Sequence, residues 1–399
     1  MSDKKYLFKR NNVWWVKLAV PLSLRSELGY DLRRTTGEKD LDKAIPIRDK
    51  IIEEFKTEFQ IRKVNADDKG IVLRGTEHMQ KTDISDPQYF HKVVDCQYAC
   101  PAHTNVPEYI RLIAQKKYDD AYMLNWESNV FPGILGRTCD RPCEPACRRG
   151  RTHDKPVAIC RLKRVTYDYK NDIDPYLPDI PKVKNGKKIG LIGAGPASLT
   201  VARDLLPLGY EVTIFEKDNK PGGLMRTNIP SFRLPAEVLD EEVYRIIKMG
   251  AELKTNSYID SLEKVIDSFD AVFVGTGAPK GKDLEIPGRK EASENIHIGI
   301  DWLTSIAFEH TKSIGKKVIV IGGGNTAMDC CRTAIRLGAD DVKVTVRSPK
   351  SDMKASDWEL EEAIDEGIPI LDNTSPKEFL LDDEGKLKGM KFEKMEAQY

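Results

Sequence analysis

One pattern occurs twice in this chain and leaves little choice of fold. A short apolar strand runs into a glycine-rich turn, then into a helix, then into a second strand. The copies start at Lys188 and Lys317, and they are the nearest thing to an internal repeat. A strand–turn–helix–strand of this length is a βαβ unit, and its two strands lie parallel. In the first copy Ile189 to Ile192 reads as a buried strand leading into Gly193-Ala194-Gly195-Pro196-Ala197-Ser198. Gly193 permits the tight turn, and Gly195 lets the backbone approach a pyrophosphate held at the positive end of the helix. Ser198 occupies the place of a third glycine, which predicts slightly looser helix–strand packing. Glu216 ends the next strand, where its carboxylate can accept from both hydroxyls of a ribose. Pro221-Gly222-Gly223-Leu224 follows, a second turn able to come close to a bound cofactor.

The second copy meets its helix at Gly322-Gly323-Gly324-Asn325-Thr326-Ala327, and its next strand ends in Arg347 where the first ends in an acid. An arginine there accommodates a 2′-phosphate that a carboxylate would repel, which points to NADPH. The competing reading is a solvated arginine at a strand end. Lys354 is a candidate second phosphate contact, and Cys330 and Cys331 on the helix read as small buried residues. Between the copies, FDAVFVGTGAPKG predicts a buried strand before Thr276-Gly277-Ala278, a turn that closes the first unit. An acid in one nucleotide site and a base in the other suggest a flavoprotein, with FAD in the first site and a nicotinamide donor in the second.

The 399 residues suffice for two or three domains, and 63 basic residues balance 63 acidic ones. That balance argues against a chain that coats nucleic acid throughout. No apolar run reaches the roughly 18 residues of a membrane helix, and MSDKKYLFKR has no signal-peptide apolar core. A cytoplasmic protein is expected. In a reducing compartment, clustered cysteines indicate metal or redox chemistry more often than disulfides. Six of the eight lie together, as Cys96-x3-Cys100, Cys139-x3-Cys143-x3-Cys147 and Cys160. Thiolates on adjacent turns beside Pro101, Pro142 and Pro145 suit an iron–sulfur cluster, with zinc as the main competitor. Cys139 to Lys170 carries nine basic and four acidic residues. That excess would compensate a thiolate-bound cluster or form a solvated face.

The expected architecture is α/β. Residues 81–180 form a helical iron–sulfur domain, 185–285 an FAD-binding Rossmann-like domain, and 286–399 a second, incomplete Rossmann-like domain for NAD(P)H. Residues 1–65 read as a small α+β appendage, β-type alternation followed by helical spacing from Asp40 to about Arg62, with 66–80 as a linker. The appendage holds 15 basic and 10 acidic residues. Its order of motifs resembles the amino-terminal module of phage-type tyrosine recombinases, with a solvated appendage as the competing reading.

From about Asp86 onward the chain resembles the small subunit of glutamate synthase and the amino-terminal half of dihydropyrimidine dehydrogenase. The resemblance rests on CQYACPAHTNVPEYIRLI, GILGRTCDRPCEPACRRG, GAGPAS, Glu216, PGGL and GGGNTAMD followed by VRS. It implies that NADPH reduces FAD by hydride transfer and that electrons leave singly through iron–sulfur centres to a catalytic partner subunit. It also implies that Cys100, Cys139 and Cys143 are ligands of a [4Fe-4S] cluster, with Cys160 taken as the fourth. Cys96 and Cys147 match ligands of a second cluster whose other cysteines are absent from residues 78–95. Ser348 stands where the family often has another arginine. Family members also continue past the hairpin-like stretch before Tyr399, so a truncated or fused reading frame is one expectation. On that expectation the alternative function is a non-catalytic remnant that binds a cluster but holds FAD weakly or not at all.

Overall fold

The computed structural model describes residues 7–10, 13–19, 31–68, 94–153 and 155–395, in two compact units divided between Val93 and Val94. In the first unit β1 (Leu7–Arg10), β2 (Val13–Ala19) and β3 (Asp31–Thr35) form an antiparallel sheet, followed by α1 (Leu41–Asp68). Alternation puts Val16 inward, where it packs against Ile51, Ile52 and Phe55 from one stripe of α1. This is the α+β order read from the sequence. Residues 66–68 of the expected linker belong to the helix, and the rest of that linker lies outside the described residues.

The second unit opens with helices α2 (Val106–Ala114), α3 (Tyr118–Asn129), α4 (Pro132–Thr138) and α5 (Ile159–Asp168). Asn105 caps α2 by accepting from the Glu108 N–H, and Pro107 sits in the first turn, where a missing N–H costs nothing. Two parallel sheets follow. The first has the order β6 (Glu252–Lys254), β5 (Glu211–Phe215), β4 (Lys188–Ile192), β7 (Ala271–Val274); α6 (Pro196–Leu205) and α7 (Ala236–Lys248) are its main helices. The second comes after α8 (Gly299–Ala307), and its first strand, β8 (Lys317–Ile321), leads into α9 (Asn325–Arg336). From there the chain passes through β9 (Asp341–Thr345) and α10 (Asp357–Asp365) to β10 (Ile370–Leu371), giving the order β10-β9-β8. The hairpin read near the end is present as β11 (Thr374–Leu381) and β12 (Leu387–Lys394).

Tyr122, Trp126, Phe131 and Ile134 of the helical region share one hydrophobic core with Leu191, Leu199, Ile214, Val243 and Ile246 of the first sheet and its helices. Each large apolar side chain buried this way contributes about 1.5–3 kcal/mol. The second sheet has its own core around Trp302, Met328, Cys331 and Val344. Cys330 and Cys331 are both buried, as the sequence suggested.

Two expectations need correction. β7 forms where predicted but is not buried: it is an edge strand, with Phe273 37% and Val274 53% exposed. An apolar run shows that a strand exists, not which place in the sheet it takes. Ser198 does not loosen the packing either. It is fully buried, and the hydroxyl lies where a side chain on Gly275 would be, 2.1 Å from the position of that missing Cβ.

Candidate functional site

The first glycine turn is fixed by close backbone approach. Gly193 has φ +92°, and a Cβ there would lie 2.6 Å from the Gly275 carbonyl oxygen. Gly223, at φ +52°, comes so near Gly195 that a Cβ would lie 2.8 Å from the Gly195 Cα. The two loops are joined by the Gly222 N–H, which donates to the Ala194 carbonyl at 2.9 Å. Gly195 therefore stands at the head of α6 with Pro196 and Ala197 exposed beside it, while Leu224 is 38% exposed next to Gly223. Gly277, at φ +68°, has open space where a Cβ would go.

Glu216 is 5% exposed, and its oxygens accept from the Ala194 N–H at 2.8 Å and the Asp218 N–H at 3.0 Å. Each oxygen keeps an acceptor position for a further donor. A cradle of bare backbone at a helix N-terminus, with a held carboxylate at the end of the adjacent strand, fits the adenosine diphosphate half of FAD.

At the second turn Gly322 has φ +142° and a Cβ on Gly324 would meet nothing within 4 Å, so the glycine side of the α9 head is open. Thr326, Arg347 and Lys354 are exposed. Lys354 is held beside the turn by its own N–H, which donates to the Gly323 carbonyl at 2.9 Å. Among the described residues neither Arg347 nor the Lys354 ammonium has a side-chain partner. Two uncommitted cations beside an open helix N-terminus fit a phosphorylated dinucleotide.

Asn325 behaves differently from the expectation placed on it. Its amide donates to Asp140 and to the Ser356 hydroxyl, both at 3.2 Å, and its oxygen accepts from the Ser356 N–H at 2.8 Å. Both amide donors are thereby committed, which leaves the backbone at that position for a nucleotide.

The cysteines sit at helix ends. Cys100 follows the short helix Asp95–Ala99, Cys139 follows α4, Cys143 lies in the next turn, and Cys160 opens α5. Burial, with the nearby Cys139 and Cys100 adding to it, pushes the Cys143 thiol up to about 12. Burial also raises Cys160, with Cys139 adding to the shift. Cys96 is raised by burial and by Cys147, so those two form a neighbouring pair. The fully buried Tyr109 senses Cys143, Cys160, Cys96 and Cys100, and its hydroxyl donates to the Ile159 carbonyl at 3.0 Å. The Arg141 N–H donates to the Cys139 sulfur at 3.3 Å.

Lys163 is the residue the sequence reading missed. It is 5% exposed, acts on both Cys143 and Cys160, and among the described residues has no carboxylate partner. A buried ammonium needs an anion, and the Cys143 and Cys160 sulfurs it acts on would supply negative charge once they bind a cluster as thiolates. Its position three residues after Cys160, on the same helix face, was the available signal. Among the described residues no three His, Cys, Asp or Glu side chains are gathered tightly enough to hold one metal ion. Thiols near enough to raise each other's pKa, with Lys163 beside them as counter-charge, fit a thiolate-bound iron–sulfur cluster.

Two parallel-sheet units with nucleotide turns, joined to a thiol-bearing helical region, define an oxidoreductase built on dinucleotides. Residues 187–398 match the pyridine nucleotide-disulphide oxidoreductase family, and residues 89–174 match the family described as dihydropyrimidine dehydrogenase domain II, 4Fe-4S cluster. The chain belongs to the pyridine nucleotide-disulphide oxidoreductase family, in the branch of the glutamate synthase small chain and dihydropyrimidine dehydrogenase subunits.

It is 34% identical over 341 residues to the NADPH-Fe(3+) oxidoreductase subunit beta of Geobacter sulfurreducens, covering 81% of this chain and 51% of that protein. Identity is also 34% with the glutamate synthase [NADPH] small chain of Azospirillum brasilense, over 71% of this chain and 62% of that one. The same identity holds for the NAD-dependent dihydropyrimidine dehydrogenase subunit PreT homolog of Salmonella typhi, over 70% of this chain and 68% of that one. The chain thus spans about half the length of the first relative. No helix among the described residues is long and apolar enough to cross a membrane.

Proposed function

We propose that this chain is an electron-transfer module that takes reducing equivalents from NADPH, through FAD and a [4Fe-4S] cluster, to a partner subunit that performs the substrate chemistry. The observation that carries this reading is the contrast between the two turns, one beside the buried Glu216 and one beside the uncommitted Arg347. Gly193, Ala194, Gly195, Pro196, Ala197, Gly223, Leu224 and Gly277 would line the FAD, with Glu216 on its ribose. Gly322, Gly324, Thr326 and the Asn325 backbone would take the NADPH pyrophosphate, with Arg347 and Lys354 on the 2′-phosphate. Cys100, Cys139, Cys143 and Cys160 would ligate the cluster, with Cys96 and Cys147 beside it. These residues would hold cofactors that supply hydride transfer and the passage from two-electron to one-electron chemistry. The protein's part is to hold, orient and screen these groups: the helix heads of α6 and α9 attract phosphate, and Lys163 offsets thiolate charge. No side chain is required as an acid or base.

A partner subunit is supported by the relatives, whose names describe them as subunits or chains of larger enzymes. The cysteines, all unpaired, suit a reducing cytoplasm. Anaerobic purification tests the reading: iron, sulfide and FAD should copurify with the chain, and NADPH should reduce an artificial dye. A colourless, zinc-loaded protein that leaves the dye oxidised would reject it.

A further inference from the structure

The turn that carries Cys139 is clasped by the second nucleotide unit through two consecutive side chains. Asp140 accepts from the Asn325 amide at 3.2 Å and the Ser356 hydroxyl at 3.0 Å. Asn325 is the first residue of α9 and Ser356 immediately precedes α10, so one carboxylate sits at the positive ends of two helices. The Arg141 guanidinium stacks 4.3 Å above the Trp358 ring, and its Nε is buried with no hydrogen-bond partner. The Arg141 N–H is also the donor to the Cys139 sulfur. The same short turn therefore touches a thiol on one side and the head of the nucleotide-binding helix on the other.

We propose that Asp140 and Arg141 are positioning residues that couple occupancy of the second nucleotide turn to the electronic state of the iron centre held by Cys139. The proposal rests on the function proposed above and adds a coupling which that function does not require. The physical argument has two parts. A pyrophosphate bound at the head of α9 brings negative charge to the helix end that Asp140 already occupies, and like charges at that range repel. Relief of the repulsion moves Asp140, and with it Arg141, whose N–H bonds to the Cys139 sulfur. Hydrogen bonds to cluster sulfurs set reduction potential, so the movement is read out as a potential change. Linkage makes the effect reciprocal: the factor by which NADP+ shifts the cluster's reduction equilibrium is the factor by which cluster reduction changes NADP+ affinity.

The test uses the 399-residue chain purified anaerobically, with NADP+ as the probe. The cluster midpoint is followed by paramagnetic resonance in a redox titration, and NADP+ affinity is measured by calorimetry. In the wild type, NADP+ should shift the midpoint. In Asp140→Ala the shift should vanish, and NADP+ should bind about fivefold tighter because the competing charge is gone. Asp140→Asn, which keeps an acceptor oxygen but no charge, should show the same gain in affinity. Iron content equal to wild type establishes that the variants fold. A wild type without iron or without NADP+ binding would overturn both this inference and the proposed function. A loaded wild type whose midpoint ignores NADP+ would overturn the coupling alone. A shift that persists in Asp140→Ala, with unchanged affinity in both variants, would remove these residues from it.

Discussion

Arg233 grips Asp329 at two points: one guanidinium nitrogen lies 2.7 Å from each carboxylate oxygen. Arg233 belongs to the chain leading into α7 beside the first sheet, whereas Asp329 lies on α9 of the second, so this contact fastens one nucleotide unit to the other. Arg233 also meets Glu359 of α10, which is 2% exposed, and Arg332 extends the network to Glu362 and Glu366 at 2.7 and 2.9 Å. Phe232 lies beneath Arg332 and Arg336.

Removing the cation while leaving the carboxylates should therefore be severe. Arg233→Met takes from the buried Asp329 its ion-pair partner and leaves Glu359 with Arg332 alone, at 3.5 Å, and breaking such a pair destabilises by about 3–5 kcal/mol. Burial already pushes Asp329 up to about 6 with Arg233 present. Loss of the cation raises it further, so by pH 5 the carboxyl is protonated in wild type and variant alike and the penalty for the missing cation shrinks. Urea unfolding should show a larger deficit at pH 7.5 than at pH 5. An equal deficit at both values would mean that the carboxylates find other partners.

A second buried carboxylate holds the thiol-bearing helix. Glu242 on α7 accepts from the Gly133 and Ile134 N–H groups at 2.7 and 2.9 Å and from the Tyr122 hydroxyl at 2.8 Å, which satisfies the open end of α4 before Cys139. Burial outweighs these bonds and pushes the carboxyl up from 4.5 to about 7. The folded state then keeps a proton that the unfolded chain has released. This group's contribution to stability therefore falls as pH rises from about 4.5 through 7, by up to about 3 kcal/mol. Glu242→Gln has no proton to lose and turns an amide donor toward one of two N–H groups, at a cost of about 1–3 kcal/mol. The variant should be less stable at pH 5, and the gap should narrow toward pH 8 in chemical unfolding.

What the sequence made legible was local. Gly193, Gly195 and Glu216 lie within one βαβ unit, where glycine spacing and strand length fix both turn and acid, and the structure places them together. Contacts between distant segments were not legible: Asn325 and Asp140 are 185 residues apart, and Glu242 reaches back 109 residues to Gly133. Asn325 illustrates the limit. Its place in the motif suggested a nucleotide contact, but its side chain is committed to a partner that no local pattern announces. β7 shows a different limit, since the sequence of an edge strand and that of a central one can be equally apolar.

Lys163 predicts a spectroscopic change. Its buried ammonium stabilises added negative charge near Cys143 and Cys160, so an electron arriving at a cluster there is favoured by its presence. Lys163→Met keeps the stem and removes the charge. The cluster midpoint should become more negative, on the order of tenfold in the one-electron equilibrium or about 59 mV. Iron content per chain should stay the same. An unchanged midpoint would separate Lys163 from the cluster and return it to a structural role.

The nucleotide preference reduces to Arg347. It is exposed two residues beyond β9 and has no side-chain partner among the described residues, whereas the buried Glu216 stands directly after β5. A guanidinium on a 2′-phosphate makes charge-assisted hydrogen bonds worth about 1.5–3 kcal/mol. Arg347→Ala should therefore raise KM for NADPH about tenfold or more while leaving that for NADH nearly unchanged, because NADH carries no group for Arg347 to hold. Lys354→Ala should act in the same direction more weakly, since an ammonium on a flexible stem lacks the planar fork that matches phosphate. Added salt should erode the wild-type preference for NADPH and leave the Arg347→Ala ratio flat, because only the phosphate contact is screened. Steady-state kinetics with both nucleotides checks all three expectations. If both KM values rose together, Arg347 would be supporting the turn itself and the choice of nucleotide would lie elsewhere in the second unit.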